Sequence, residues 1–398
     1  MDKGISIIIP AYNGGSIFLD LLEKIKEQDY AGDIQLIVVD SGSVDGTAEF
    51  AEKAGAIVKR IDKNTFHHAR TRNYALHLAK YDKVVFIVQD AVPFSETWLS
   101  GLEKSLAATE TAAVYTSQIP HDDASIYARF EVDSINISRG PDPKLCSLDS
   151  LEAFHKMPYE KACRTIGLDN VCAIYRKELL EKTPFPDVEY AEDMAWALKI
   201  MLSGYSIFYQ PNIKVKHSHN RPPEYGFQRQ VVNSVWPAKI MGRVKVDHSF
   251  LSIKDITVLS LGVLFFAEDF KSRFFTEEAA GKKIKILSEE TQKIPKPECL
   301  TESVMSLLTP SGEKSISLDV ELQKAGVERQ ACQEITDSFD LIRNKYNVIL
   351  KDSLIDVIDQ LVAKVLGRIY GEVFASYILK DDISPELDDF MRPYLHGI

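Results

Sequence analysis

Four short apolar runs, each ending at a polar turn and separated by segments of helical spacing, restrict what this chain can fold into more than any other feature. Residues 5–9 read ISIII and run into Pro10; residues 34–39 read IQLIVV and stop at Asp40; AIVKRI covers 56–61 and KVVFIV covers 83–88. Continuous apolar runs of this length suit strands buried on both faces, as parallel strands are. Between them, residues 16–28 carry Phe18, Leu21, Leu22 and Ile25 at helical spacing. Residues 47–54 form a short helix closed by Gly55, residues 70–80 a third helix, and Ser95 caps a fourth that carries Trp98 and Leu102. The alternation predicts an α/β fold with a mostly parallel, Rossmann-like sheet covered by helices on both faces.

In such sheets ligands bind beyond the carboxyl ends of the strands, where loops vary without disturbing the core. Three of those ends read PAYNGG, DSGSVDGT and QDAVP. All are polar, with acidic or small residues where a ligand would sit.

A length of 398 residues, 45% of them hydrophobic, is more than one core usually needs, so two domains are expected: 1–240, holding the chemistry, and a mainly helical 241–398. Past residue 120 the chain is rich in Asp, Ser and Pro and reads as an irregular, substrate-facing insertion up to about 165. DNVCAIYRKELL and the helix AEDMAWALKIMLSG follow, and YSIFYQPNIKVKHSH reads as a strand pair broken at Pro211. In the second domain, residues 283–310 carry three prolines and read as a linker. From Leu354, the residues Ile358, Leu361, Val365 and Ile369 continue one apolar helix face, suited to a core or a homo-oligomer seam.

A net charge of -11 excludes a dedicated nucleic-acid binder, which needs basic surface to displace counterions. Five cysteines without CxxC spacing, an apolar N-terminal run too short for a signal peptide, and no apolar stretch near the ~20 residues of a membrane span give the expectation of a cytoplasmic protein. The longest apolar run, 256–267, leaves room for peripheral contact with a membrane.

Several clusters can carry chemistry, and each has a plainer reading beside it. Asp40 and Asp45, flanking Gly42 and Gly46, can bind a base or ribose, or simply stabilise their own turn. Asp90, ending the fourth strand, suits a hard divalent cation or a solvated strand end. Glu192 and Asp193 open a helix, where the dipole alone favours carboxylates; one of them can also be a general base. His217 and His219 stand at i and i+2, which in a strand points them to opposite sides, so that at most one would ligate a metal. Phe66–Asn73 is dense in polar groups for a helix start; its arginines can meet phosphate or, as for Arg70, remain solvated. No GxGxxG follows the first strand, which argues against a dinucleotide-dependent oxidoreductase.

Taken together, these motifs resemble the inverting glycosyltransferases of family 2, with a GT-A fold, and within them the bacterial rhamnosyltransferase branch. The matching pieces are IIPAYN at 8–13, VDSGSVDGT at 39–47, and Phe66, His68, Thr71, Arg72 and Asn73 as FxHxxTRN. Gln89, Asp90, Ala91 and Pro93 then match QDA-x-P, followed by Trp98, by the Glu192-Asp193 pair, and by His217 and His219. The resemblance implies that Asp193 deprotonates the acceptor hydroxyl. It further implies that Pro10, Ala11, Tyr12, Asp40, Ser41, Asp45, His68, Arg72, Asn73, Gln89 and Asp90 hold the donor. Asp90 and His217 would hold a divalent metal, Mg2+ or Mn2+. Glu192, Trp98 and His219 would line the acceptor side or support the site. The implied donor is dTDP-rhamnose and the implied acceptor a glycan or lipid-linked glycan in bacterial surface polysaccharide synthesis. Another nucleotide sugar, or an inactive nucleotide-sugar-binding scaffold, are the alternatives. One departure stands out: the first Asp of the family's DxD is Val88 here.

Overall fold

The computed structural model describes residues 3–274, 318–346, 351–381, 383 and 385–395. The expected linker at 283–310 and Cys299 lie outside the described residues. The chain divides into two compact units: Met1–Ala124 with Ala128–His219, and Ser125–Tyr127 with Asn220–Ile398. The division falls at His219, ahead of the expected residue 240.

In the first unit the described elements are β1 (Gly4–Ala11), α1 (Gly15–Lys26), β2 (Asp33–Asp40), α2 (Thr47–Lys53), β3 (Ile57–Arg60), α3 (His68–Leu76), β4 (Lys83–Ile87), β5 (Val92–Pro93), α4 (Trp98–Thr109), β6 (Ala113–Ile119), α5 (Ile126–Arg139), β7 (Lys144–Cys146), α6 (Leu151–Lys156), α7 (Tyr159–Thr165), β8 (Cys172–Arg176), α8 (Lys177–Lys182), α9 (Glu192–Leu202) and β9 (Ile207–Lys216). They build one nine-stranded sheet of order β3-β2-β1-β4-β8-β6-β9-β5, with β7 added to β9. β3, β2, β1 and β4 are parallel, as are β6 and β9, while β8 runs antiparallel between β4 and β6. This mostly parallel sheet with an inserted antiparallel strand is a GT-A arrangement.

Side-chain alternation fills both faces of the sheet. Ile5, Ile7, Ile9, Val85, Ile87 and Ile174 pack with Phe18, Leu21 and Leu22 of α1 and with Trp98, Leu102 and Leu106 of α4. On the opposite parity, Phe86 and Tyr175 meet Phe185, and Tyr175 meets Trp196 of α9, through edge-to-face aromatic contacts with centroids 5.1–5.7 Å apart.

Register brings the strand ends together. Ala11 lies opposite Asp40 across β1 and β2, and Ile87 opposite Cys172 across β4 and β8. Lys216 pairs both with Ile119 of β6 and with Val92 of β5. The loops holding residues 89–90, 118–121, 169–170 and 217–219 therefore converge.

Two expectations need correction. The segment 207–216 is a single strand: its pairing jumps from Gln210 opposite Thr116 to Lys214 opposite Ser117, and the Ser117 hydroxyl donates to the Pro211 carbonyl at 2.8 Å. A bulge absorbs the proline that periodicity took for a break. Residues 120–165 are not irregular either; they hold α5, β7, α6 and α7. Cys146, Cys163, Cys172 and Cys332 form no disulfide.

The second unit is helical: α10 (Pro223–Met241), α11 (Ile253–Phe274), α12 (Leu318–Tyr346), α13 (Lys351–Lys380) and α14 (Pro385–Met391). The expected stripe Leu354, Ile358, Leu361, Val365 and Ile369 on α13 is fully buried. α13 approaches α10 so closely that a Cβ on Gly367 would lie 2.3 Å from the Phe227 carbonyl oxygen, and one on Gly371 2.7 Å from the Val231 carbonyl oxygen. No helix among the described residues is long and apolar enough to cross a membrane.

Candidate active site

The loops after β1 and β2 are clasped to one another. Asn13 sits in the left-handed region at φ 47, which asparagine tolerates better than most residues, and its side chain accepts from the Val44 N–H. The Asn13 N–H donates to the Ser43 hydroxyl, the Gly14 N–H to the Thr47 hydroxyl and the Gly15 N–H to Asp45 at 2.9 Å. The Thr47 hydroxyl also donates to Asp45, and this bond, with the two backbone N–H groups, holds the Asp45 carboxyl below its ordinary range. Asp45 is thus a clasp between loops.

Asp40 is 1% exposed and accepts from the N–H groups of Gly42 and Ser43, so turn chemistry accounts for it here. Ser41 is buried beside it, its N–H continuing the ladder to the Ala11 carbonyl. Gln89 exchanges two hydrogen bonds with the main chain of Tyr12, tying the end of β4 to the Pro10-Ala11-Tyr12 segment. Tyr12 itself is partly exposed, with the Lys63 ammonium 3.0 Å from its hydroxyl and 4.5 Å from its ring centroid.

Asp90 and both histidines come together. The carboxylate is 3.7 Å from His217 Nε2 and 3.5 Å from His219 Nδ1, and one ligand atom from each lies within 4.8 Å of the others. The expectation that the histidines point apart fails because β9 ends at Lys216. Strand alternation does not extend to 217–219, and the two rings meet edge to face at 4.6 Å. The loop after β6 braces the cluster: His121 Nε2 contacts the Asp90 carbonyl at 2.9 Å, and Asp122 pairs with Lys216. Behind His217, the Gln118 amide oxygen lies 2.8 Å from Nδ1 and its nitrogen donates to Asp169, which pairs with Arg139 at 2.7 Å. Burial opposes the Asp169 charge, but the Arg139 guanidinium holds its carboxyl below the ordinary range.

One carboxylate and two imidazoles, one braced through its second nitrogen, form a donor set that fits a divalent transition ion.

Asp193 begins α9. The helix is entered through Ala191 at φ 60, a left-handed conformation that costs a non-glycine residue about 1–2 kcal/mol. Asp193 accepts from the Asn170 N–H at 2.9 Å and the Met194 N–H at 2.8 Å. Burial, and then the charges of Glu192 and Asp169, push its pKa up to about 7. Glu192 is the opposite case. Burial opposes its charge, yet Arg72 at 2.8 Å, with His68 and Asn170, holds it below the ordinary carboxylate range. Adjacent carboxyls driven apart in this way define one permanent anion and one group able to exchange protons near neutrality.

Several residues expected at the donor or acceptor make contacts within the protein. Arg72 is 4% exposed and spends its charge on Glu192 and the His68 carbonyl. Asn73 uses both ends of its amide on the main chain of Phe185. Trp98 is 1% exposed in the core beneath α4. Within FxHxxTRN, His68 packs between Phe66 and Arg72. Arg70 forms an exposed ion pair with Asp187. Gln118, His121, Arg139, Asp169 and Asn170 were not singled out from the sequence. Only Asp169-Asn170, a polar pair abutting the apolar run of β8, carried any local signal.

The sheet and its strand-end loops make a GT-A fold, which carries a carboxylate–imidazole cluster and a carboxyl of raised pKa. The sequence model described as Glycosyl transferase family 2 matches residues 6–183. The O-antigen chain rhamnosyltransferase RfbN of Salmonella typhimurium is 34% identical over 243 residues, 59% of this chain and 72% of that protein. The O-antigen chain rhamnosyltransferase WbaN of Salmonella anatum is 30% identical over 236 residues, 58% of this chain and 72% of that one. Among solved structures, the mannosyltransferase PcManGT from Pyrobaculum calidifontis, in complex with GDP-Man and Mn2+, is 23% identical with a TM-score of 0.43. That likeness covers 59% of this chain and 63% of PcManGT. The chain belongs to glycosyl transferase family 2, as a rhamnosyltransferase-like glycosyltransferase.

Proposed function

We propose that the enzyme transfers L-rhamnose from dTDP-rhamnose, with inversion, to a hydroxyl of a glycan or lipid-linked glycan during surface polysaccharide synthesis. The observation that carries this reading is the Asp193 carboxyl, held by two N–H groups and raised to about 7, in the same strand-end region as the Asp90, His217 and His219 cluster. The two relatives named O-antigen chain rhamnosyltransferases support rhamnose as the sugar.

Asp193, as carboxylate, takes the proton of the acceptor hydroxyl. The freed oxygen forms a bond to the anomeric carbon as the bond from that carbon to the diphosphate oxygen breaks on the opposite face. The configuration inverts, and the electron pair leaves on the nucleoside diphosphate. Glu192, fixed as an anion by Arg72, keeps Asp193 basic without competing for the proton. Asp90, His217 and His219 would hold a divalent cation, which when bound offsets charge on the departing diphosphate. Two imidazole nitrogens favour Mn2+ over Mg2+, which prefers an all-oxygen shell.

The test is a panel of nucleotide sugars with the metal supplied or chelated, read as nucleoside diphosphate release, with product anomeric configuration assigned by NMR. Preference for dTDP-rhamnose and an inverted product support the reading. Preference for a hexose donor, or retention, overturns it.

A further inference from the structure

The cation reading of Asp90, His217 and His219 leaves open how a neutral histidine comes to present the correct nitrogen. We propose that Gln118 is a positioning residue for cation binding. Held in one orientation by Asp169, it fixes His217 as the Nδ1–H tautomer and directs the Nε2 lone pair to the Asp90 side.

The orientation follows from a chain of donors and acceptors. Arg139 Nη2 donates to Asp169 Oδ2 at 2.7 Å, and the Val171 N–H donates to Oδ1 at 2.9 Å, so this carboxylate is an acceptor at both oxygens. The Gln118 amide lies 2.7 Å from Oδ2. Turned the other way, it would set two acceptor oxygens against each other, so its nitrogen faces Asp169 and its oxygen faces His217. An amide oxygen only accepts, so the ring nitrogen 2.8 Å away, Nδ1, carries the hydrogen. A neutral imidazole has one N–H, which makes Nε2, 3.7 Å from Asp90 Oδ1, the acceptor.

The surroundings hold this arrangement rigid. Gln118 is 3% and His217 7% exposed, the Asn136 side chain donates to the Gln118 carbonyl at 2.7 Å, and Arg139 lies over the rings of Tyr115 and Tyr209. The contact exists because β6 and β9 run parallel, with Ile119 opposite Lys216. Outer partners of this kind typically change metal affinity by about 10–100-fold.

The experiment uses the whole chain and two readouts. Long-range 1H–15N NMR of the metal-free protein, with the His217 signal assigned by its loss in His217→Ala, should show hydrogen on Nδ1. Titration with Mn2+ alone, followed by electron paramagnetic resonance, should show binding about 10–100-fold weaker in Gln118→Leu. Hydrogen on Nε2 in the wild-type protein overturns the proposal, and so does Gln118→Leu with unchanged tautomer and Mn2+ affinity. If Gln118→Leu does not fold, the wild-type tautomer still decides. Wild-type Mn2+ binding in both His217→Ala and Asp90→Ala would instead overturn the cation reading, on which this inference rests, and would leave the tautomer result to judge Gln118.

Discussion

The main-chain N–H of Asn170 donates to the Asp193 carboxylate at 2.9 Å, while the adjacent Asp169 reaches His217 through Gln118. One dipeptide in the loop before β8 thus supports both halves of the candidate site. It anchors Asp193 on one side and the Asp90, His217 and His219 cluster on the other.

The pH profile follows from Asp193. Its pKa is raised to about 7, so the basic form is scarce at pH 5–6 and complete above pH 8. The logarithm of kcat/KM should climb with a slope of about one below pH 7 and level off above it. Asp193→Asn should lower kcat by about 10^2–10^4 while donor binding persists. A profile that stays flat from pH 5 to 8 would count against Asp193 as the base.

Both histidines should matter to the cation. His217→Ala and His219→Ala are each expected to weaken Mn2+ binding, measured by calorimetry, by more than the ~10–100-fold of an outer-shell loss. Had 217–219 continued the strand, only one substitution would act. A wild-type affinity in His219→Ala would return that residue to a packing role.

Arg72 is expected to act through stability and kcat. Arg72→Met leaves Glu192 buried without its partner, which typically costs about 3–5 kcal/mol, read from urea unfolding. Relief by a further Glu192→Gln change would confirm that the uncompensated charge is the cause. A large rise in donor KM with unchanged stability would restore the phosphate-binding role.

Asn73→Ala removes both bonds to the Phe185 main chain and strands an N–H and a carbonyl. The expected loss is about 1–3 kcal/mol, with donor KM unchanged. Asn73→Asp keeps only the acceptor, so it should also destabilise. Direct donor contact would show instead as a KM effect at full stability.

In the helical unit, Gly367→Ala drives a Cβ into the Phe227 carbonyl of α10, 2.3 Å away, where backbone must shift. A cost of about 1–3 kcal/mol is expected. Gly326→Ala on α12 meets nothing within 4 Å and serves as the control. Equal thermal midpoints for the two variants would show that α10 and α13 can separate freely.

Much of this molecule was legible in the residue order. Apolar runs and their polar stops gave β1, β2 and β4, because burial on both faces leaves a local signature that needs no partner; β3, a partly exposed edge strand, was legible from its short run alone. The stripe from Leu354 to Ile369 announced α13 in the same way. β6 and the bulge at Pro211 were hidden: what makes 207–216 one strand is its pairing with β6, a partner far away in sequence.

The site divides along the same line. Asp90, Asp193 and the histidines stood out as chemistry at element ends, where local motif and helix-start signals operate. Their roles came from neighbours distant in sequence. Arg72 lies 120 residues from Glu192, and Gln118 lies 99 residues from His217. The sequence by itself determined which groups are able to react. Tertiary structure decided that Arg72 meets Glu192 and Asn73 the Phe185 main chain, that both histidines face Asp90, and that the Asp193 carboxyl is raised to about 7. The reason is physical: burial and the fields of nearby charges set a side chain's proton affinity and orientation, and both are properties of the folded chain.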